Sequence, residues 1–241
     1  MRPLFLLTLV LATLAAACAD KAVAPVDEIT PSGDTENVYI VVDDEVILNG
    51  RLFGPQNEPL VILSHMRPND QTAWFAFAQE LAGDGYAALT FNFRGYGDST
   101  GDQDFDALDD DLLAVIRYMR DRGKTRIFLV GASMGATTSL VVAAQEDVAA
   151  VVALSPPARF GDQDALAAVP DLRVPKLLLA SEGDAPALSF AELVAAAAEP
   201  KEQELYEGNA HGTDLLQTGK NENADAVRAR ILRFLEEQTE G

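Results

Sequence analysis

Apolar positions along the chain fall into short blocks of two kinds, and their alternation predicts the architecture. Residues 60–63, 86–93, 127–130, 148–154 and 176–180 are compact apolar runs, too short for helices and suited to strands buried on both faces. Residues 202–206 read as a last strand. Between these runs, residues 74–81, 109–121, 136–144 and 188–198 have helical spacing or composition, and the first is closed by Gly83-Asp84-Gly85. Residues 224–237 close the chain as an amphipathic helix carrying Val227, Ile231, Phe234 and Leu235 on one face. Ahead of all these, residues 38–42 and 46–53 flank the acidic turn Asp43-Asp44-Glu45, which predicts an antiparallel hairpin at a sheet edge. Strands alternating with helices of this length imply an α/β fold, a mostly parallel sheet flanked by helices on both faces.

The first residues follow another pattern. Met1-Arg2 supplies a positive charge, residues 4–17 are apolar, and Ala15-Ala16-Ala17 leads into Cys18, the single cysteine of the chain. That layout is a secretory signal rather than a membrane span. Small residues before a cysteine resemble a bacterial lipobox, although Ala15 stands where Leu, Val or Ile is usual. We expect a signal peptide over 1–17, lipidation at Cys18, a Pro- and acid-rich tether over 18–36, and one folded domain over 37–241. The protein is then exported and lipid-anchored in the cell envelope, with simple secretion or periplasmic release as the alternative.

A formal net charge of −20 makes nucleic acid an improbable partner, because such a surface repels phosphate backbones. The oligomeric state is not legible. Six aspartates between Asp102 and Asp111 invite a calcium reading. Ala107 stands where an EF-hand loop needs glycine, and Leu113 where it needs a bidentate glutamate, so no metal is expected. These acids suit the N-terminal dipole of the helix they precede.

The candidate chemistry lies at the carboxyl ends of the predicted strands. Gly131-Ala132-Ser133-Met134-Gly135 joins a strand to a helix, the context in which G-x-S-x-G forms a nucleophile elbow. Asp184 follows the strand over 176–180, with Glu182 as a rival acid, and His211 follows the last strand. The other histidine, His65, ends an early strand and suits a structural role. A serine hydroxyl needs an imidazole to take its proton, and the imidazole needs a carboxylate to fix its tautomer.

The order serine, acid, histidine, together with Arg94-Gly95-Tyr96-Gly97-Asp98-Ser99, resembles the α/β-hydrolase superfamily from about Val38 onward. The likeness is to its small, lid-poor esterase and dienelactone-hydrolase-like members. It implies a Ser133–Asp184–His211 triad and an oxyanion hole from the N–H of Met134 and of Arg67. Met66 replaces the family's usual glycine after the histidine, so Met66 is the alternative second donor. Residues 155–174 are too short for a lid domain, although a short helix near 164–168 could flank the pocket. The implied activity is cofactor-free cleavage of small carboxylic esters through an acyl-enzyme on Ser133. Peptidase or acyltransferase activity with the same triad, or a non-catalytic binding domain at the cell surface, are the alternatives.

Overall fold

The computed structural model describes residues 35–55, 59–185 and 189–240. The expected signal peptide, the expected lipidation site Cys18 and nearly all of the expected tether lie outside the described residues; the first strand already begins at Thr35. Among the described residues, no helix is long and apolar enough to cross a membrane.

Eight strands form one sheet in the order β1-β2-β4-β3-β5-β6-β9-β10. β1 (Thr35–Val41) and β2 (Ile47–Phe53) make the antiparallel hairpin at one edge, and β2 also runs antiparallel to β4 (Ala87–Phe91). From β4 onward every pairing is parallel, through β3 (Leu60–Ser64), β5 (Ile127–Ala132), β6 (Ala150–Leu154), β9 (Lys176–Ser181) and β10 (Lys201–Tyr206). The central strands are buried at every position, which is why they read as unbroken apolar runs.

The sheet separates two apolar clusters. One packs α2 (Leu108–Asp121), α3 (Met134–Ala143) and α5 (Phe190–Ala196) on one face. The other packs α1 (Phe75–Gly83) and α6 (Ala224–Glu240) on the opposite face, where Val227, Ile231, Phe234 and Leu235 are buried as their spacing predicts. Residues 155–174 carry no lid domain. They form a two-residue-stranded hairpin, β7 (Arg159–Phe160) with β8 (Gln163–Asp164), and one helical turn, α4 (Ala165–Ala168).

The acidic stretch before α2 has structural employment. Asp111 is fully buried and accepts from the Arg94 amide at 2.9 Å, from Nε at 2.9 Å and from a terminal guanidinium nitrogen at 2.6 Å. This pair anchors the loop after β4 to α2. Asp104 accepts from the Asp106 amide, and Asp106 in turn accepts from the Asp162 amide of the β7–β8 turn. Among the described residues no group of three or more His, Cys, Asp or Glu could hold a metal ion.

Removing one partner of a buried ion pair strands the other charge, at a cost of about 3–5 kcal/mol, whereas replacing both by apolar residues costs far less. Asp111→Ala should therefore destabilise the protein by that order in denaturant unfolding, and the double variant Arg94→Met/Asp111→Leu by clearly less. Equal losses in the two would show that the pair is not the anchor.

Candidate active site

The elbow is built by backbone crowding. β5 ends at Ala132 and α3 begins at Met134, leaving Ser133 alone to reverse the chain with φ 48° and ψ −113°. A Cβ on Gly131 would lie 2.3 Å from the Gly135 carbonyl oxygen, and one on Gly135 would lie 2.4 Å from that of Ser64. Only glycine permits this approach of strand to helix. Ser133 donates its amide to Leu154 O at 2.8 Å, and its carbonyl accepts from the Thr137 amide at 3.0 Å. The Met134 N–H stands in the first turn of α3, where helix geometry supplies no acceptor.

The loops after β9 and β10 are laced together. Glu182 N–H donates to Tyr206 O, Gly183 N–H to Gly208 O, and the Ser181 hydroxyl to Ala210 O, each at 2.9 Å. This lacing brings His211 Nδ1 to 2.9 Å and 3.0 Å from the two carboxylate oxygens of Asp184. The Asp184 side chain is 1% exposed and that of His211 24%. Glu182 is exposed, and the carboxylate paired with His211 is that of Asp184. An ionised carboxylate only accepts, so the proton sits on Nδ1 and leaves Nε2 as the imidazole's acceptor. The residue after the histidine, Gly212, packs against Ala132 and Met66; a Cβ there would lie 3.4 Å from Ala132 Cβ and 2.5 Å from Met66 Sδ. His211 is thus one residue from a segment in contact with the approach to Ser133.

His65 is fully buried and its two nitrogens have fixed roles. Nε2 accepts the Phe93 N–H at 3.1 Å, so Nδ1 carries the proton and donates to Met66 O at 3.0 Å. Its ring meets Phe93 and Tyr96 edge to face, at 5.1 and 4.7 Å. The imidazole therefore clamps the loop after β3 to the loop after β4, the structural role its position suggests. In the clamped loop Met66 is buried against Gly212, while Arg67 is exposed and holds its guanidinium 5.5 Å from the Phe105 ring centroid. Neither the Met66 nor the Arg67 amide donates to another group among the described residues. Phe105 meets Phe160 of the β7–β8 hairpin edge to face at 5.3 Å.

Sequence reasoning passes over two features here. Ser155, directly after β6, has φ 51° and accepts the Gly212 N–H on its hydroxyl at 3.0 Å. The hint is the following Pro156-Pro157, which marks a stiff turn and says nothing of the serine's backbone. The second is a polar cleft of about 570 Å³, walled by residues 207–210, Asp214 and residues 220–223. Ser133, Asp184 and His211 are not among its walls.

A family model described as alpha/beta hydrolase fold matches residues 59–230. An uncharacterized protein of Mycobacterium tuberculosis is 28% identical over 235 residues, spanning 87% of this chain and 81% of that protein. Among solved structures, the chain is similar to Est1E of Butyrivibrio proteoclasticus with ferulic acid bound, with TM-score 0.73 at 19% identity, covering 85% of this chain and all of that one. It is equally similar to the Pyrococcus furiosus esterase Pf2001, with TM-score 0.73 at 20% identity, covering 85% of this chain and 90% of that one.

The clamp histidine yields a pH prediction. Burial pushes the His65 imidazole down to about 4, overriding its bond to Met66 O. The unfolded imidazole takes a proton below about 6.5, so between these values the unfolded state binds more protons and stability declines as pH falls. Unfolding free energy should drop by about 3 kcal/mol from pH 6.5 to pH 4 in excess of the drop in His65→Gln. Parallel profiles for the two proteins in denaturant titrations would refute the assignment.

Proposed function

The chain belongs to the α/β-hydrolase family, and on that premise we propose that it is a serine hydrolase cleaving carboxylic esters, with Ser133, Asp184 and His211 as its triad. The observation that carries this reading is the Asp184–His211 pair, its Nδ1 contact 2.9 Å long, in a loop packed against the approach to a strained elbow serine. In this reading His211 Nε2 takes the Ser133 proton as Oγ attacks the ester carbonyl. The oxyanion forms against the amides of Met134 and Arg67, both unengaged within the described protein. His211 then gives the proton to the departing alcohol, and water activated by the same imidazole releases the acyl group. Asp184 keeps the tautomer that leaves Nε2 free to accept. No hydrogen bond joins Ser133 to His211 among the described residues, and such catalytic contacts commonly tighten only with substrate bound. Esters are favoured over amides because the similar solved structures include esterases. The absence of a lid domain over 155–174 favours small, soluble esters.

A fluorophosphonate should label the protein once, and Ser133→Ala should abolish labelling and ester hydrolysis while leaving the fold intact. Labelling that survives this substitution removes Ser133 from the mechanism. The acid is tested separately: Asp184→Asn should lower kcat by on the order of 10³ to 10⁴, by analogy with the serine-protease triad, and Glu182→Gln should have little effect. A crippled Glu182 variant beside an active Asp184 variant would reverse the assignment.

The reading extends to location. The residues before Cys18 support export and a lipid anchor on that cysteine, which would place the domain at a membrane surface through the tether. Mass spectrometry of the native protein should find a lipidated N-terminal Cys18, and Cys18→Ser should move the protein from the membrane to the soluble fraction. An unmodified N-terminus, or cleavage elsewhere, rejects the anchor.

A further inference from the structure

The residues at the end of β6 touch the elbow serine, the strand that leads to the candidate acid and the loop that carries the candidate histidine. Leu154 O accepts the Ser133 amide at 2.8 Å, and the Ser155 amide donates to Leu179 O of β9 at 2.7 Å, on the strand that leads to Asp184. The Ser155 hydroxyl accepts the Gly212 N–H at 3.0 Å, directly beyond His211. Two residues further, Pro157 O accepts the Thr137 hydroxyl at 2.8 Å, from the first turn of the helix that follows Ser133. Ser155 is fully buried. Together with Ser133 it is one of the two non-glycine residues with positive φ among the described residues. Serine tolerates that conformation poorly, so the site keeps the strain for a reason that the surrounding contacts must supply.

We propose that Ser155 is a positioning residue for the histidine: its hydroxyl, by holding the Gly212 amide, sets the depth at which His211 faces Ser133. The positive φ is what turns Oγ toward the histidine loop while the Ser155 amide stays on β9. The Ser155–Gly212 bond is a direct side-chain tie from the β6 exit to the histidine loop. The lacing from β9 and β10 fixes His211 relative to Asp184, whereas Ser155 fixes both relative to the elbow. This inference rests on the hydrolase reading above, since positioning has a catalytic consequence only if His211 takes a proton from Ser133.

The test uses the full-length protein with a small aryl ester, with kcat expressed per site titrated by fluorophosphonate, so that loss of folded protein does not count as loss of rate. Ser155→Ala keeps the backbone strain and removes the acceptor; Ser155→Gly removes both. Both variants should lose roughly ten- to a hundredfold in kcat per titrated site, with KM within about twofold of wild type. Wild-type kcat in either variant, or a change confined to KM, would overturn the proposal. A loss in Ser155→Ala that Ser155→Gly restores would also overturn it, by assigning the effect to φ rather than to the hydroxyl. If the wild type itself neither hydrolyses esters nor is labelled at Ser133, the hydrolase reading fails; if it does both and the Ser155 variants match it, only the positioning role fails.

Discussion

The contact on which the site depends is the near collision of backbone where β3, β5 and the first turn of α3 meet. Glycine at 131 and 135 lets these segments approach to distances that any Cβ would forbid. Ser133, caught between them, is left with a left-handed φ that costs of order 1–3 kcal/mol. That cost is offset by the burial of central strands on both faces of the sheet, which locks the elbow in place. The same crowding also registers the loop after β3. A Cβ on Gly135 would lie 2.7 Å from His65 O, so α3 and the candidate oxyanion loop are spaced by one contact. His65 then clamps that loop from the other side, through the Phe93 amide. A donor at Met134 and a donor at residue 66 or 67 are thus held on one rigid frame.

A chain with net charge −20 must dispose of its acids, and the structure sorts them by partner. Asp111 and Asp184 are the buried carboxylates among the described residues. The first meets a guanidinium and a backbone amide, the second an imidazole N–H. A buried carboxylate without such a partner would take up a proton or expel its element from the core. Of the more exposed aspartates before and around Asp111, Asp104 closes a turn on the Asp106 amide, and Asp106 and Asp109 accept from the β7–β8 hairpin. Arg94 belongs to the turn that resembles the family motif, and its partner lies in the stretch that superficially suggests calcium. The two sequence features are halves of one ion pair.

The fold was legible because its strands are apolar blocks and its outer helices have clear faces. Boundaries shift where the deciding contact is distant. α3 starts at Met134, ahead of the helix-compatible run from Ala136, where the Thr137 amide closes the first turn on Ser133 O and the Ser133 amide is fixed by Leu154 O, a partner remote in sequence. Glu182 and Asp184 stand two residues apart on one turn, and the lacing to the 206–210 loop selects which of them turns inward. Met66 departs from the family glycine, and its Sδ lies 2.5 Å from where a Cβ on residue 212 would fall, a contact between residues remote in sequence. The β7–β8 hairpin has strands of two residues each, below the length at which alternation carries any signal. Ser155 is the least legible of all. Its meaning lies in a dihedral angle and in a partner on another loop.

The short connection over residues 155–174 does two things that a lid domain would separate. Its first residue ties the histidine loop to the exit of β6. Its hairpin packs beside α3, with Gly161 against Phe105, Phe160 edge-on to the same ring, and Gln163 donating to Asp109 of α2. Arg67, from the loop that carries the candidate oxyanion amides, caps the Phe105 ring. The hairpin is therefore pinned to α2 and, through Phe105, to the clamped loop by short-range contacts. The tie from Ser155 to the histidine loop and the packing of the hairpin thus start from the same short connection after β6.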